Sequence, residues 1–131
     1  MAYWLLKTDP DTYSFDDLER EKKTVWDGVS NNLALKYLRE MKKGDLALIY
    51  HTGDEKCVVG IAEIVSDPYP DPKQSDPKLA VVDIKPSRRL PRAVSLAEIK
   101  ANKAFQDFLL VKMGRLSVMP VSQQQWEHLT K

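Results

Sequence analysis

The stretch DLALIYHTGDEKCVVGIAEIV, residues 45–65, contains the two strongest strand patterns in the chain. Residues 45–51 and 57–65 are rich in aliphatic and β-branched side chains, and a short polar loop around Gly53 separates them. This arrangement predicts two neighbouring strands. Gly60 interrupts the second run, which predicts a bulge or a close approach by another part of the chain.

On both sides of this stretch, short helices alternate irregularly with further strands. A helix is predicted for residues 30–41, with Gly44 as its stop, because apolar side chains recur there at helical spacing. Ser14 and Ser95 are typical helix caps, and Ser122 with Gln125 forms a third capping pattern. Other strands are predicted at residues 3–8, 79–85 and 116–121, while the proline-rich residues 66–77 predict a surface loop.

About five strands without long crossover helices predict an α+β fold, with a small closed or nearly closed sheet and peripheral helices. The length of 131 residues suits one domain, residues 1–131, and 43% hydrophobic residues are enough for one core. Cys57 is the only cysteine, so an intramolecular disulfide and a thiolate-rich zinc site are excluded. The lack of a secretory or membrane-spanning pattern predicts a cytoplasmic protein without membrane contact, and we expect a monomer.

The net charge of +1 is too small for a protein that coats nucleic acid through phosphate contacts alone. Nucleic-acid binding would require a local basic patch and a shaped pocket. Two basic groups are candidates, one on the helix at residues 36–43 and one at residues 85–92. Arg88, Arg89 and Lys36 are the predicted phosphate contacts. The alternative for each group is that its side chains are ordinary solvent-exposed surface residues that bind no ligand.

His51 and Cys57 are the candidates for catalysis. They lie six positions apart across the predicted hairpin. A small hydrolase that acts on a nucleotide or small ligand through His51, with Cys57 or a carboxylate, is therefore one alternative function. A lone histidine at a strand end is more often a hydrogen-bonded structural residue, and no partners with metal-ligand spacing surround it. Nucleotide-binding and nucleophile motifs are also missing from the sequence. We therefore expect neither an enzyme, nor a metal site, nor a cofactor.

Trp26 stands directly before the turn signal Asp27-Gly28, which predicts a ring at the edge of a loop and away from the centre of the core. A flat ring in that position can stack on a base, an interaction worth about 1–3 kcal/mol per base.

Taken together, the motifs resemble the EVE domain family over essentially the whole chain. The resemblance rests on six groups of residues in order: WLLKTDP (4–10); WDGV (26–29) with Asn31 and Ala34; Met41, Gly44-Asp45 and YHT (50–52); GIAE (60–63) with YPDP (69–72); RRLP (88–91); and RLSVMPV (115–121). It implies a PUA-like fold, a strongly bent β-barrel with peripheral short helices that is similar in architecture to YTH and ASCH domains. It further implies a module without enzymatic activity that recognises a modified base in nucleic acid, with cytosine modifications in DNA favoured and RNA left open.

The resemblance also implies a pocket for a flipped or single-stranded base. Trp26 and Tyr50 would form its walls, the edge of the base would meet Asn31, His51, Thr52 and Ser117, and Lys7 and Arg115 would meet a phosphate or a carbonyl oxygen. Ser30, Asn32 and Leu33 stand where the family commonly has arginine, tyrosine and glutamine, which indicates a divergent member. A protein-interaction module with a vestigial pocket is the remaining alternative.

Overall fold

The computed structural model describes residues 1–130, which fold into a curled half-barrel sheet surrounded by short helices. The α+β prediction and the bent-barrel prediction are both confirmed. The elements, in chain order, are β1 (Tyr3–Thr8), α1 (Phe15–Glu21), β2 (Thr24–Trp26), α2 (Asn32–Glu40), β3 (Leu46–His51), β4 (Cys57–Ile64), β5 (Tyr69–Pro70), β6 (Ala80–Ser95), α3 (Leu96–Ala101), a 3₁₀ turn (Lys103–Phe105), α4 (Leu109–Lys112), β7 (Val118–Val121) and α5 (Gln123–Thr130).

The sheet has the strand order β2-β6-β4-β3-β1-β7, with β5 paired to β6. β1 and β3 are parallel, in a register that places Lys7 beside Tyr50 and Thr8 beside His51. β7 runs antiparallel to β1, and the amide of Lys7 donates to the carbonyl of Ser117 at 3.0 Å. This pairing brings the carboxyl ends of β1 and β3 and the start of β7 together at one end of the strands.

Seven strands form where about five were predicted. β2 and β5 are too short to give a periodic pattern, and β6 continues to Ser95, well past the predicted end at residue 85. Two prolines, Pro86 and Pro91, lie inside β6. Beyond Ile84, β6 pairs with β4 alone among the described strands, and an edge strand of this kind tolerates proline.

Gly60 lies beside the bulge: Val59 is the extra residue of β4 opposite β3, and the β4–β6 register also shifts between Val58 and Gly60. The ring of Phe15 covers the glycine so closely that a β-carbon at this position would lie 2.5 Å from Phe15 Cζ. The bulge bends the sheet, and the missing side chain lets α1 pack against it.

The predicted helix caps are present. Ser14 and Ser95 each form a reciprocal capping box, and Ser122 exchanges hydrogen bonds with Gln125 at the start of α5. No helix within residues 1–130 is long and apolar enough to span a membrane.

A buried carboxylate, that of Asp45, holds the opposite end of the strands in place. Asp45 is 5% exposed and accepts hydrogen bonds from Trp4 Nε1 at 3.0 Å, from the amide of Lys42 at 3.0 Å and from the amide of Ala2 at 3.1 Å. It therefore joins the start of β1 to the turn before β3.

Candidate functional site

A cavity of about 540 Å³ lies beside the ends of β1 and β2. We call it the Trp26 cavity. The rings of Trp26 and Tyr13 meet there at 80°, with centroids 6.3 Å apart. Its remaining lining residues are Thr8, Thr12, Glu21, Thr24, Val25, Asp27, Gly28 and Lys73. The volume is within the usual range of small-molecule pockets, about 300–1,000 Å³.

The expectation for Trp26 needs correction. Trp26 is only 8% exposed and belongs to the core, so its ring does not stand free at the edge of a loop. The short strand β2, which pairs with β6, pulls the ring against the sheet. Tyr13, which the sequence analysis did not select, is half-buried in the loop before α1 and presents more of its surface to the same cavity.

Hydrogen bonds hold Tyr13 in place. Its hydroxyl donates to Glu21 Oε1 at 2.9 Å, and its carbonyl accepts from Thr8 Oγ1 at 2.7 Å. Burial raises the pKa of the Tyr13 hydroxyl, which therefore remains a neutral donor. The cavity combines an aromatic corner with the carboxylates of Glu21 and Asp27 and the ammonium of Lys73.

A second concave surface lies on the same edge of the sheet, and we call it the basic groove. It consists of two cavities, about 330 Å³ and 180 Å³, that share Gly114. The larger is lined by Asn31, Leu33, Lys112, Met113, Gly114, Arg115 and Leu116, and the smaller by Lys7, Tyr50, Thr52, Gly53, Lys56, Leu96, Leu110 and Gly114. Four of these residues are cations, and none of the described lining residues is acidic.

Lys7 is fixed at the bottom of the groove. Its Nζ donates to the carbonyl of Gly114 at 2.8 Å and lies 5.6 Å from the centroid of the Tyr50 ring. Burial lowers the pKa of Lys7 below its ordinary value of 10.5. Within residues 1–130, no carboxylate oxygen lies within 4 Å of this ammonium, and two of its three donors remain for a ligand.

The structure brings most of the predicted site residues to the groove, but several are engaged in the fold. Tyr50 is 3% exposed, and burial raises the pKa of its hydroxyl. Asn31 uses its Oδ1 to cap α2, which leaves its amide nitrogen free. Thr52 donates its backbone amide to Thr8, and Ser117 accepts from the amide of Lys7 through its carbonyl. Arg115 is exposed and lines the groove.

The structure gives His51 a structural role. Its Nε2 accepts from the amide of Phe15 at 3.0 Å, and its Nδ1 lies 2.9 Å from Glu55 Oε1. An amide can only donate, so Nε2 is unprotonated and Nδ1 carries the hydrogen shared with Glu55. Both ring nitrogens are engaged within the fold, which disfavours the predicted contact of His51 with a base edge.

Cys57 lies directly across from His51 in the β3–β4 register, as the thiol form of the hydrolase alternative expected. However, burial raises the pKa of the Cys57 thiol, which disfavours the reactive thiolate. A histidine bound through both nitrogens does not offer a base to that thiol. Within residues 1–130, no three metal-ligating side chains come together at one point.

The predicted phosphate contacts lie outside both surfaces. Arg89 is bound by the carboxylates of Asp16 and Glu19, the latter at 2.6 Å. Lys36 lies 3.9 Å from Glu40, and Arg88 donates to the carbonyl of Thr130 at 3.3 Å. The guanidinium of Arg89 already has two carboxylate partners, which disfavours its assignment to phosphate.

Sequence comparisons identify relatives over the length of the chain. The model of the EVE domain matches residues 2–131. Thymocyte nuclear protein 1 from Homo sapiens is 31% identical over 160 aligned positions, which cover 96% of this chain and 71% of that protein. The Rattus norvegicus protein of the same name is 32% identical, with 97% of this chain and 71% of that protein covered.

Solved structures are similar over the same length. A Rhodopseudomonas palustris protein solved by NMR superimposes with a TM-score of 0.94 at 39% identity, covering 99% of this chain and 91% of that one. The human THYN1 protein in complex with DNA containing 5-methylcytosine gives a TM-score of 0.90 at 29% identity, covering 99% and 96%. An ASCH protein from Zymomonas mobilis gives 0.61 at 10% identity, with 98% of this chain and 93% of that one covered, and shares the fold alone. The order of the motifs, the fold and the family match agree, and this chain belongs to the EVE domain family.

Proposed function

We propose that this protein is a non-catalytic module that binds nucleic acid and takes one base, most favourably a modified cytosine in DNA, into the Trp26 cavity. The observation that carries the proposal is the aromatic corner of Trp26 and Tyr13, which opens into a cavity of about 540 Å³ lined by hydrogen-bonding groups. The human THYN1 complex supports it, because a similar fold at 29% identity binds DNA that contains 5-methylcytosine.

The chemistry of the cavity suits a base with an exocyclic amine. Carboxylates accept a hydrogen bond from the amino group of cytosine, and Asp27 and Glu21 both line the cavity. Glu21 is already bonded to the Tyr13 hydroxyl, so Asp27 is the carboxylate that is free to make this contact. The half-buried ring of Tyr13 would provide the stacking surface, and the small exposed part of Trp26 would form a wall.

The other site residues would act beside the cavity. Lys7 and Thr8 are consecutive in β1, so the basic groove and the Trp26 cavity lie at the same strand end. Lys7 and Arg115 would meet the strand that carries the base, and Thr52 and the free amide of Asn31 would contact it from the groove. Ser117, whose carbonyl accepts from the amide of Lys7, would contact it beside the groove. The hydrolase alternative has less support, because His51 and Cys57 lack the proton-transfer geometry that it requires.

Lys7→Met separates binding from stability. Folding lowers the pKa of Lys7, so the charged ammonium is less favourable in the folded protein than in the unfolded chain. This cost to stability is fully present at pH values below the pKa of the folded state, and it disappears as the pH rises towards 10.5. We therefore expect the variant at neutral pH to unfold at the same denaturant concentration as the parent or a higher one. Its affinity for a fluorescent oligonucleotide should fall about tenfold, since a charge-assisted hydrogen bond is lost.

Lys43→Met is the matched control, because it removes the same charge from an exposed site beyond the other end of β3. It should bind as the parent does. If Lys7→Met is as stable as the parent and binds equally well, the strand does not pass Lys7 and the proposed site is wrong.

A further inference from the structure

The basic groove brings four cations together, and none of its described lining residues is acidic. Some cations elsewhere have carboxylate neighbours, as in the Lys85–Glu63 and Arg92–Glu98 pairs at 3.5 Å and 2.8 Å. In the groove, Lys112 has one exposed partner, Asp107, at 3.3 Å. Lys7, Lys56 and Arg115 have no carboxylate oxygen within 4 Å in the described part of the chain.

These cations are held on a defined backbone. The amide of Leu96 donates to the carbonyl of Lys56 at 2.8 Å, which fixes the loop that carries Lys56. On the other side of Gly114, the amide of Leu116 donates to the carbonyl of Met113 at 3.0 Å and closes the turn that carries Arg115. The four cations thus form two pairs, Lys7 with Lys56 and Lys112 with Arg115, on either side of Gly114.

Apolar surface lies beside the second pair. Leu33, Met113 and Leu116 line the same cavity as Lys112 and Arg115, and Met113 is 42% exposed. A groove with cations in both of its cavities, and with apolar side chains beside one pair, suits the phosphates and sugars of a nucleic-acid strand.

We propose that the basic groove binds the sugar–phosphate backbone of the nucleic-acid strand, with one phosphate at Lys7 and Lys56 and the next at Lys112 and Arg115. This inference rests on the proposed function, because the same strand delivers its base to the Trp26 cavity. It transfers the phosphate contacts from Arg88, Arg89 and Lys36 to Lys56 and Lys112, which the sequence did not single out. Lys7, half-buried without a carboxylate, gains an anionic partner only when the phosphate arrives.

The test compares two double variants that remove the same charge. Lys56→Gln/Lys112→Gln changes the groove, whereas Lys36→Gln/Arg88→Gln changes the surfaces that are outside it. Affinity for a single-stranded DNA oligonucleotide that contains one 5-methylcytosine is measured over a series of salt concentrations. Each lost phosphate contact should make the slope of log K against log salt shallower by about 0.7.

For the groove variant we expect a slope shallower by about one to one and a half and an affinity roughly tenfold lower at low salt. The control variant should keep the parental slope. Suppose that the parent binds and prefers the methylated oligonucleotide. If the groove variant then keeps the parental slope, or if the slope becomes equally shallow in both variants, the phosphate assignment is wrong while the base-binding function stands. If the parent binds no oligonucleotide, both proposals fail.

Discussion

Trp26→Ala is expected to destabilise the protein by about 3–5 kcal/mol, the usual cost of removing a buried tryptophan side chain. Trp26 is 8% exposed and packs within the core beside Tyr13. A loss of this size is a large fraction of the stability of a small domain, about 5–15 kcal/mol, so the variant should be partly or wholly unfolded at ambient temperature. Denaturant unfolding followed by circular dichroism measures it directly.

Since that variant mixes folding with binding, the role of Trp26 in the site requires a milder change. Trp26→Phe keeps an aromatic ring, and Trp126→Phe is its control, because Trp126 is also 8% exposed but stacks on Tyr3, outside the cavity lining. We expect similar small losses of stability from both. Only Trp26→Phe should weaken oligonucleotide binding, by roughly severalfold, since part of a stacking and wall surface is lost. Equal affinities for the two variants would place the base elsewhere.

Asp45→Ala should cost about 3 kcal/mol or more, because it leaves three N–H donors without their acceptor. The amides of Ala2 and Lys42 and the indole of Trp4 all donate to this carboxylate. Each buried donor left unsatisfied costs about 1–3 kcal/mol, and partial access of water to the two amides reduces the sum. The midpoint of thermal or denaturant unfolding measures the effect.

Asp45→Asn is the graded control. Oδ2 accepts from both Trp4 and Lys42, whereas Oδ1 accepts from Ala2. An asparagine that turns its oxygen towards the first two donors preserves those bonds and loses only the third. Its stability should therefore lie between the parent and Asp45→Ala. If both variants are as stable as the parent, the carboxylate does not hold this edge of the sheet.

Local signals predicted much of the fold. The hairpin of β3 and β4 follows from its apolar runs. The three serine caps follow from the local sequence, although the reciprocal bond from Asp17 at Ser14 was not predicted. The parallel pairing of β1 with β3 was not predictable in this way, because 43 positions separate Tyr3 from its partner Leu46. The extent of β6 was missed because its prolines are typical of loops unless the strand lies at an edge.

The candidate site was predicted less completely, because charge clusters in sequence do not indicate charge pairing in space. Arg89 lies in an arginine-rich segment, yet Asp16 and Glu19 of α1 fold against it from more than 60 positions away. Lys56 and Lys112 lie in separate segments and meet one groove only in the folded chain. Tyr13 lacked a motif, although its position directly before the Ser14 cap fixes it near the end of β1.

We expect the protein to distinguish a modified base from its unmodified form. The most direct measurement is the affinity for two oligonucleotides that are identical except for cytosine or 5-methylcytosine at one position, at about 50 mM and about 200 mM salt. One methyl group buried in a fitted pocket should tighten binding about fourfold to tenfold. Because phosphate contacts are the same for both strands, this ratio should persist at both salt concentrations. Equal affinities for the two oligonucleotides would contradict the account.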